Sequence, residues 1–154
     1  KADITMVVKK MTDRSEINRF GLVTMTEEGR ITDIDEKPLE TNLSTVSTGI
    51  YVIRRRLLIE LIEKAASEDR HDFVRDILIR YKNIKKIYGY KLESYWSNIS
   101  SVRSYYKTNM DFLKKDVRDY FFKQYPDIYS KVEDLPPAKY NCGAQVSNSL
   151  VSSG

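Results

Sequence analysis

This sequence is short of the residues that build reactive centres. Among 154 residues there is one cysteine and one histidine. A single cysteine, Cys142, cannot form an internal disulfide, which suits a reducing compartment. No zinc-type cluster of Cys and His can be assembled, and any Ser-His-Asp or Cys-His arrangement would have to use His71. That histidine stands beside a predicted helix cap at Asp72 and reads as a surface or capping residue. Glycine is sparse, and neither GxGxxG nor GxxxxGK[ST] occurs, so no phosphate-cradling loop of those kinds is present. No apolar run reaches the roughly 18 residues of a membrane span. No basic, apolar, small-residue leader opens the chain. The expectation is a cytoplasmic protein with no membrane association.

Charge excludes a further class. The net charge is only +4, and the dense basic runs are Arg54-Arg55-Arg56 and Lys85-Lys86. Nucleic-acid binders concentrate Lys and Arg on one face, so no nucleic-acid partner is expected. The arginine run reads either as a solvated strand exit or as a site for an anionic effector. What is abundant is ordinary globular material, 41% hydrophobic and 31% charged, enough for a real core in one domain.

Periodicity divides the chain. Ile4–Val8 is a β-branched apolar strand, followed by a polar loop over Lys9–Arg19. Phe20–Thr24 and Arg30–Ile34 flank Glu27-Glu28-Gly29 as a hairpin, which Pro38 ends. Ser47–Ile53 is the strongest strand. From Leu57 the spacing changes to 3–4 residues, through Leu61, Ile62, Ala65 and Ala66, which predicts an amphipathic helix. Asp72 caps a second helix through Phe73, Ile77 and Tyr81, and Ile84–Leu92 returns to a strand. Ser100 or Ser101 caps a third helix through Val102, Tyr105 and Leu113, and Val117–Tyr125 continues as another helix or a kinked extension of it until Pro126. Strands alternating with helices predict an α/β layer, and the hairpin makes the sheet mixed. Residues 126–138, with Pro136-Pro137, read as a linker. Beyond it, Ala144 and Leu150 stand six residues apart, as in one coil of a hexapeptide β-helix. The chain opens at Lys1 directly into a strand and closes at Gly154 in mid-pattern, so both ends are expected to be cuts.

Three constellations could carry chemistry. Asp35-Glu36-Lys37-Pro38 puts two acids and a lysine at a strand end, where lysine could meet a phosphate and a carboxylate could accept sugar hydroxyls. Without further context it reads first as an ordinary charged turn. Ser47-Thr48-Gly49-Ile50-Tyr51 offers hydroxyls and a glycine that lets a ligand approach backbone, or simply a strand of small residues. Tyr95-Trp96-Ser97-Asn98 leads aromatics into polar groups at a helix start, and reads also as core aromatics plus a cap.

In this order and at these separations, the three constellations resemble the ADP-glucose pyrophosphorylases (glucose-1-phosphate adenylyltransferases). Ala2-Asp3-Ile4-Thr5, Phe20-Gly21-Leu22-Val23, Gly29-Arg30-Ile31, Asp72-Phe73, Asn109-Met110-Asp111-Phe112-Leu113 and Val146-Ser147-Asn148-Ser149-Leu150-Val151 extend the resemblance over almost the whole chain. It implies the C-terminal half of a Rossmann-like, GT-A-type nucleotidyltransferase domain over 1–125, the linker over 126–138, and the first coil of a left-handed β-helix over 139–154. It implies that Lys37 grips the phosphate of glucose 1-phosphate, with Glu36, Ser47 and Gly49 on the glucose. The family reaction joins ATP and glucose 1-phosphate into ADP-glucose and pyrophosphate, with Mg2+ neutralising charge on the triphosphate.

Two departures from the family pattern shape the expectation. Where the family has a metal-holding aspartate after Tyr-Trp, this chain has Asn98, which supplies no charge. The nucleotide-binding glycine loop and the other metal-binding aspartate would lie upstream of Lys1. The resemblance therefore implies a regulatory-type subunit in glycogen synthesis, with no catalytic residue and no metal ligand of its own, partnered by a catalytic subunit in a hetero- or homotetramer. The rivals are a catalytic subunit that tolerates Asn98 and a non-enzymatic sugar-phosphate-sensing or assembly module.

Overall fold

The computed structural model describes residues 1–39, 41–123, 131 and 134–151. They fall into two units, Lys1–Glu93 and Ser94–Gly154.

The first unit is a five-stranded sheet with helices against it. Its strands are β1 (Ile4–Lys10), β2 (Gly21–Met25), β3 (Ile31–Glu36), β4 (Thr45–Ile53) and β5 (Ile87–Lys91), in the order β3-β2-β4-β1-β5. Only β1 and β5 are parallel; the other neighbours are antiparallel. The expected mixed α/β sheet is found. β1 lies between two neighbours, and its alternating Ile4, Met6 and Val8 are fully buried, as the pleat requires of a strand with one face on the core. Helix α1 (Arg55–Ser67) lays Leu57, Leu61 and Ala65 onto that face, the stripe that the 3–4 spacing predicts.

The segment after α1 differs from expectation in kind. Asp72 caps it, its side chain accepting from the Arg75 N–H at 2.8 Å, but Phe73–Ile79 winds as a π-helix. Period alone does not distinguish the two windings over seven residues. β5 is shorter than the alternation suggested, because a turn through Ile84 precedes it: the Ile84 and Lys85 N–H groups both donate to the Tyr81 carbonyl.

The hairpin forms where its turn residues place it, and Gly29 takes a left-handed φ of 83°. Beyond the pairing of Leu22 with Val46, β2 leaves β4. The turn crosses to β5 instead, where the Gly89 N–H donates to the Gly29 carbonyl at 2.8 Å and Arg30 bridges Tyr88.

In the second unit, α2 (Val102–Asp111) begins at Ser101, and a capping box with Ser104 satisfies its first turn. α3 (Lys115–Phe122) follows, and Phe121 gathers Tyr95, Phe112 and Tyr120 around it at ring separations of 5.1–5.8 Å. Residues 134–151 contain no helix or strand, only a turn closed by Ala144 N–H on the Asn141 carbonyl at 3.1 Å. Part of the expected linker, 126–138, lies outside the described residues, as do Tyr125 and 152–154. Among the described residues no helix is long and apolar enough to cross a membrane.

Candidate functional site

The first unit brings four of the sequence-predicted site residues to one end of its sheet. Glu36 closes β3 directly across from Gly21, the first residue of β2. Leu22 pairs with Val46 on the other side, so Gly21 also faces Ser47. Glu36, Gly21 and Ser47 thus form a line across three strands. With no side chain at its centre, the Glu36 carboxylate leans over the middle strand. A Cβ built on Gly21 would lie 2.8 Å from Glu36 Oε2 and 3.9 Å from the Ser47 Cβ.

The Ser-x-Gly element is not a plain strand. Met6 faces Tyr51 and Val8 faces Ser47, so β4 carries two more residues than β1 between those pairs. This bulge kinks the strand and re-aims its side chains. Gly49 takes the strain with φ 78°, a conformation open to glycine at little cost. The Thr48 hydroxyl closes the bulge on the Val7 carbonyl at 2.9 Å, and the Gly49 N–H donates to Ser47 Oγ at 3.3 Å.

Tyr51 completes the group. Its hydroxyl lies 3.3 Å from Ser47 Oγ, and its ring packs against Phe73 at 5.3 Å. Burial pushes the phenol above its usual pKa; the Ser47 hydrogen bond opposes this, and the nearby Glu36 charge adds to it.

Lys37 stands at the rim. Its Nζ lies 3.5 Å from Glu36 Oε1, yet its side chain is 63% exposed against 16% for Glu36. Its φ of 51° is left-handed, unusual for a lysine and costly without compensation. The Lys37 N–H donates to the Phe20 carbonyl at 3.3 Å, and Pro38 fixes the exit. Chemically, this is a buried-side carboxylate and hydroxyls suited to a polyol, edged by a cation free to swing to an anion.

Sequence reasoning gave no individual role to Gly21, Tyr51 or Phe73. Gly21 was accessible in principle: a hairpin centred on Glu28-Gly29 pairs it with Glu36. Phe73 required a long-range contact that no local pattern reveals.

Asn98 belongs to the second unit. It is exposed, and the chain just before it is tied down twice. Ser97 Oγ lies 2.6 Å from Thr108 Oγ1, the latter buried, and the Tyr95 hydroxyl donates to Asp111 at 3.2 Å. Burial raises the Tyr95 phenol, and the Asp111 charge reinforces it. Among the described residues no three His, Cys, Asp or Glu side chains gather as a metal site.

The chain is 33% identical over 155 residues to a glucose-1-phosphate adenylyltransferase from Thermomicrobium roseum, covering 99% of this chain and 36% of that protein. It is 34% identical over 157 residues to the enzyme of that name from Bacillus subtilis, covering all of this chain and 41% of the relative. A third, from Thermosipho melanesiensis, is 33% identical over 146 residues, 91% of this chain and 34% of the relative. The chain therefore spans about two fifths or less of the length of these relatives. The profile of the family described as nucleotidyl transferase matches residues 1–115. That span holds the hairpin, the bulged strand and the Tyr-Trp segment together, and the chain belongs to the nucleotidyl transferase family.

Proposed function

We propose that this chain supplies the sugar-phosphate-binding part of a glucose-1-phosphate adenylyltransferase subunit of the regulatory type, acting in glycogen synthesis in the cytoplasm. The observation that carries the reading is the line Glu36–Gly21–Ser47 beside the Gly49 bulge, edged by Lys37. Lys37 leaves Glu36 to meet the phosphate of glucose 1-phosphate as a point charge. Glu36 and Ser47 take glucose hydroxyls, and Gly21 and Gly49 let the sugar approach backbone. In the family reaction a phosphate so held attacks ATP, giving ADP-glucose and releasing pyrophosphate, a step that falls to the catalytic partner rather than to this chain.

The regulatory assignment rests on Asn98. Magnesium, which the family reaction uses, does not fit the donors present: Asn98 is neutral, and no acidic cluster accompanies it among the described residues. No step of the proposal runs through the metal. The partner is a catalytic subunit of the same family, and the stretch from Lys139 on is the entry to a left-handed β-helix that forms only when further coils stack on it.

Calorimetric titration of the chain with glucose 1-phosphate tests the reading. A charge-assisted phosphate contact contributes about 1.5–3 kcal/mol, so Lys37→Ala should weaken binding by roughly ten- to a hundredfold. With ATP and magnesium added, the chain alone should release no pyrophosphate. Absent binding, or equal binding by the mutant, removes the sugar-phosphate site; turnover removes the regulatory assignment.

A further inference from the structure

The backbone of the hairpin that carries Gly21, Glu36 and Lys37 is tied to the rest of its sheet at two separated places, while its Val23, Ile31 and Ile34 side chains pack into the core between them. At the site end the backbone pairing is Leu22 with Val46. Past that point the backbone ladder between β2 and its neighbours is interrupted beside a cavity of about 810 Å³ lined by Val8, Val23, Met25 and Lys91, and the Met25 side chain reaches across to Gly89. No continuous ladder runs the length of the hairpin to fix its tilt. The second tie is at the turn, some 17 Å away at about 3.3 Å per strand residue.

Arg30 makes most of that second tie. Its backbone bridges Tyr88. Its Nη2 donates to the Lys85 carbonyl at 2.7 Å and the Lys82 carbonyl at 3.4 Å, and its guanidinium lies over the Tyr88 ring at 5.8 Å. Asp33, farther along β3, accepts from Lys82 Nζ. The remaining nitrogen, Arg30 Nη1, is buried with no hydrogen-bond partner. A buried donor left unpaired is destabilising, and an apolar side chain of similar length would avoid it. What the arginine adds is direction: one guanidinium nitrogen, Nη2, donating to two carbonyls fixes where the turn sits, which an apolar contact does not.

We propose that Arg30 is a positioning residue for the sugar-phosphate site. It acts through the hairpin, holding the far end so that Glu36 and Gly21 keep their alignment with Ser47. Released at the turn, the hairpin pivots about Leu22–Val46, and the three-strand line opens. The inference rests on the sugar-phosphate reading of that line for its functional consequence, and on geometry alone for the alignment.

The experiment uses the chain with Arg30→Met, Arg30→Lys and, as a stability control, Leu61→Ala on helix α1, outside the hairpin and its ties at the turn. The backbone amide resonances of Gly21 and Ser47 are recorded without ligand, and glucose 1-phosphate affinity is then measured by calorimetry. Arg30→Met should shift both amides and weaken binding by roughly fivefold or more, the low end of couplings between separated sites. Arg30→Lys should fall between it and wild type, and it carries the test alone if the methionine variant does not fold. Leu61→Ala should lower the melting temperature yet leave both amides and the affinity in place. Unmoved amides in the Arg30 variants, or an affinity loss no larger than that of Leu61→Ala, overturn the proposal. Failure of the wild-type chain to bind glucose 1-phosphate overturns the sugar-phosphate reading instead, and the amide shifts still decide the alignment.

Discussion

Replacing Gly21 by alanine should separate the site from the fold. The new Cβ would lie 2.8 Å from Glu36 Oε2 and otherwise meet only the Ser47 Cβ at 3.9 Å and Glu36 Cδ at 4.0 Å. Ordinary contact begins near 3.4 Å, so the carboxylate must retreat by about 0.6 Å. A carboxylate at the end of a glutamate side chain can do this by rotation, without moving backbone. Gly21 does not occupy the left-handed region, so alanine brings no backbone strain. It also removes freedom from the unfolded chain, which favours the fold by about 0.4–1 kcal/mol. Melting should therefore stay near wild type or rise slightly.

Binding should not. A hydrogen bond from a sugar hydroxyl to a carboxylate needs its oxygens within about 2.5–3.0 Å, and losing one costs roughly 1.5–3 kcal/mol. Glucose 1-phosphate affinity should fall by about ten- to a hundredfold. Tyr51 supplies an internal check. The Glu36 charge helps hold its phenol above the usual pKa, so moving that charge away should let Tyr51 titrate at lower pH. Carbon-13 tyrosine NMR against pH, calorimetry and thermal melting together make the assay. Affinity within twofold of wild type with Tyr51 unmoved would refute the reasoning, and so would a melting loss of many degrees.

The other predictions concern the fold around the hairpin. Gly89→Ala would place a Cβ 2.2 Å from Met25 Sδ and 3.4 Å from Val8 Cγ2, overpacking that should destabilise the chain by about 1–3 kcal/mol. In denaturant melts, the Gly89→Ala/Met25→Ala double mutant should cost at least about 1 kcal/mol less than the two single changes added; simple additivity would show no clash between them. The hydrogen bond from Lys82, followed by that from the Ile34 N–H, holds the Asp33 carboxyl below its usual pKa. A depressed folded pKa gives stability present at neutral pH and lost as pH falls below about 4. Asp33→Asn should reduce that acid-side loss, by no more than about 0.2–1 kcal/mol because the side chain is 58% exposed and screened; an unchanged slope between pH 5 and pH 2 would count against it.

The strands and helices were readable because burial imposes a period. Ile4, Met6 and Val8 alternate, while Leu57, Leu61 and Ala65 recur every fourth residue, and each pattern admits one regular structure. Local chemistry was readable for the same reason of short range: Asp72 and Ser101 do cap helices. What escaped needed information from elsewhere in the chain. The π-winding of Phe73–Ile79 buries Ile77 and Leu78 as an α-helix might, so the apolar pattern cannot select between them. The bulge at Gly49 is defined by β1, whose shorter count between Met6 and Val8 makes two residues of β4 surplus. The meeting of Glu36 with Ser47 came from family resemblance, since neither residue carries a mark of the other.

The two glycines flanking the hairpin show how far such marks reach. Gly21 and Gly89 are alike in sequence: each follows an aromatic residue at or within a strand. Their meaning is set by the atom opposite. At Gly21 that atom is a mobile carboxylate oxygen of Glu36, so the missing side chain makes room for a polar group at the site. At Gly89 it is the sulfur of Met25, next to Val8 in the core, so the missing side chain makes room for the hairpin itself. Arg30 then secures the turn against the strand at that point, one residue from where Gly89 donates to Gly29. The close approach at Gly89 thus lies at the turn end of the hairpin, and the line through Gly21 at its other end. A change at either end is felt as fold or as binding according to what it pushes against.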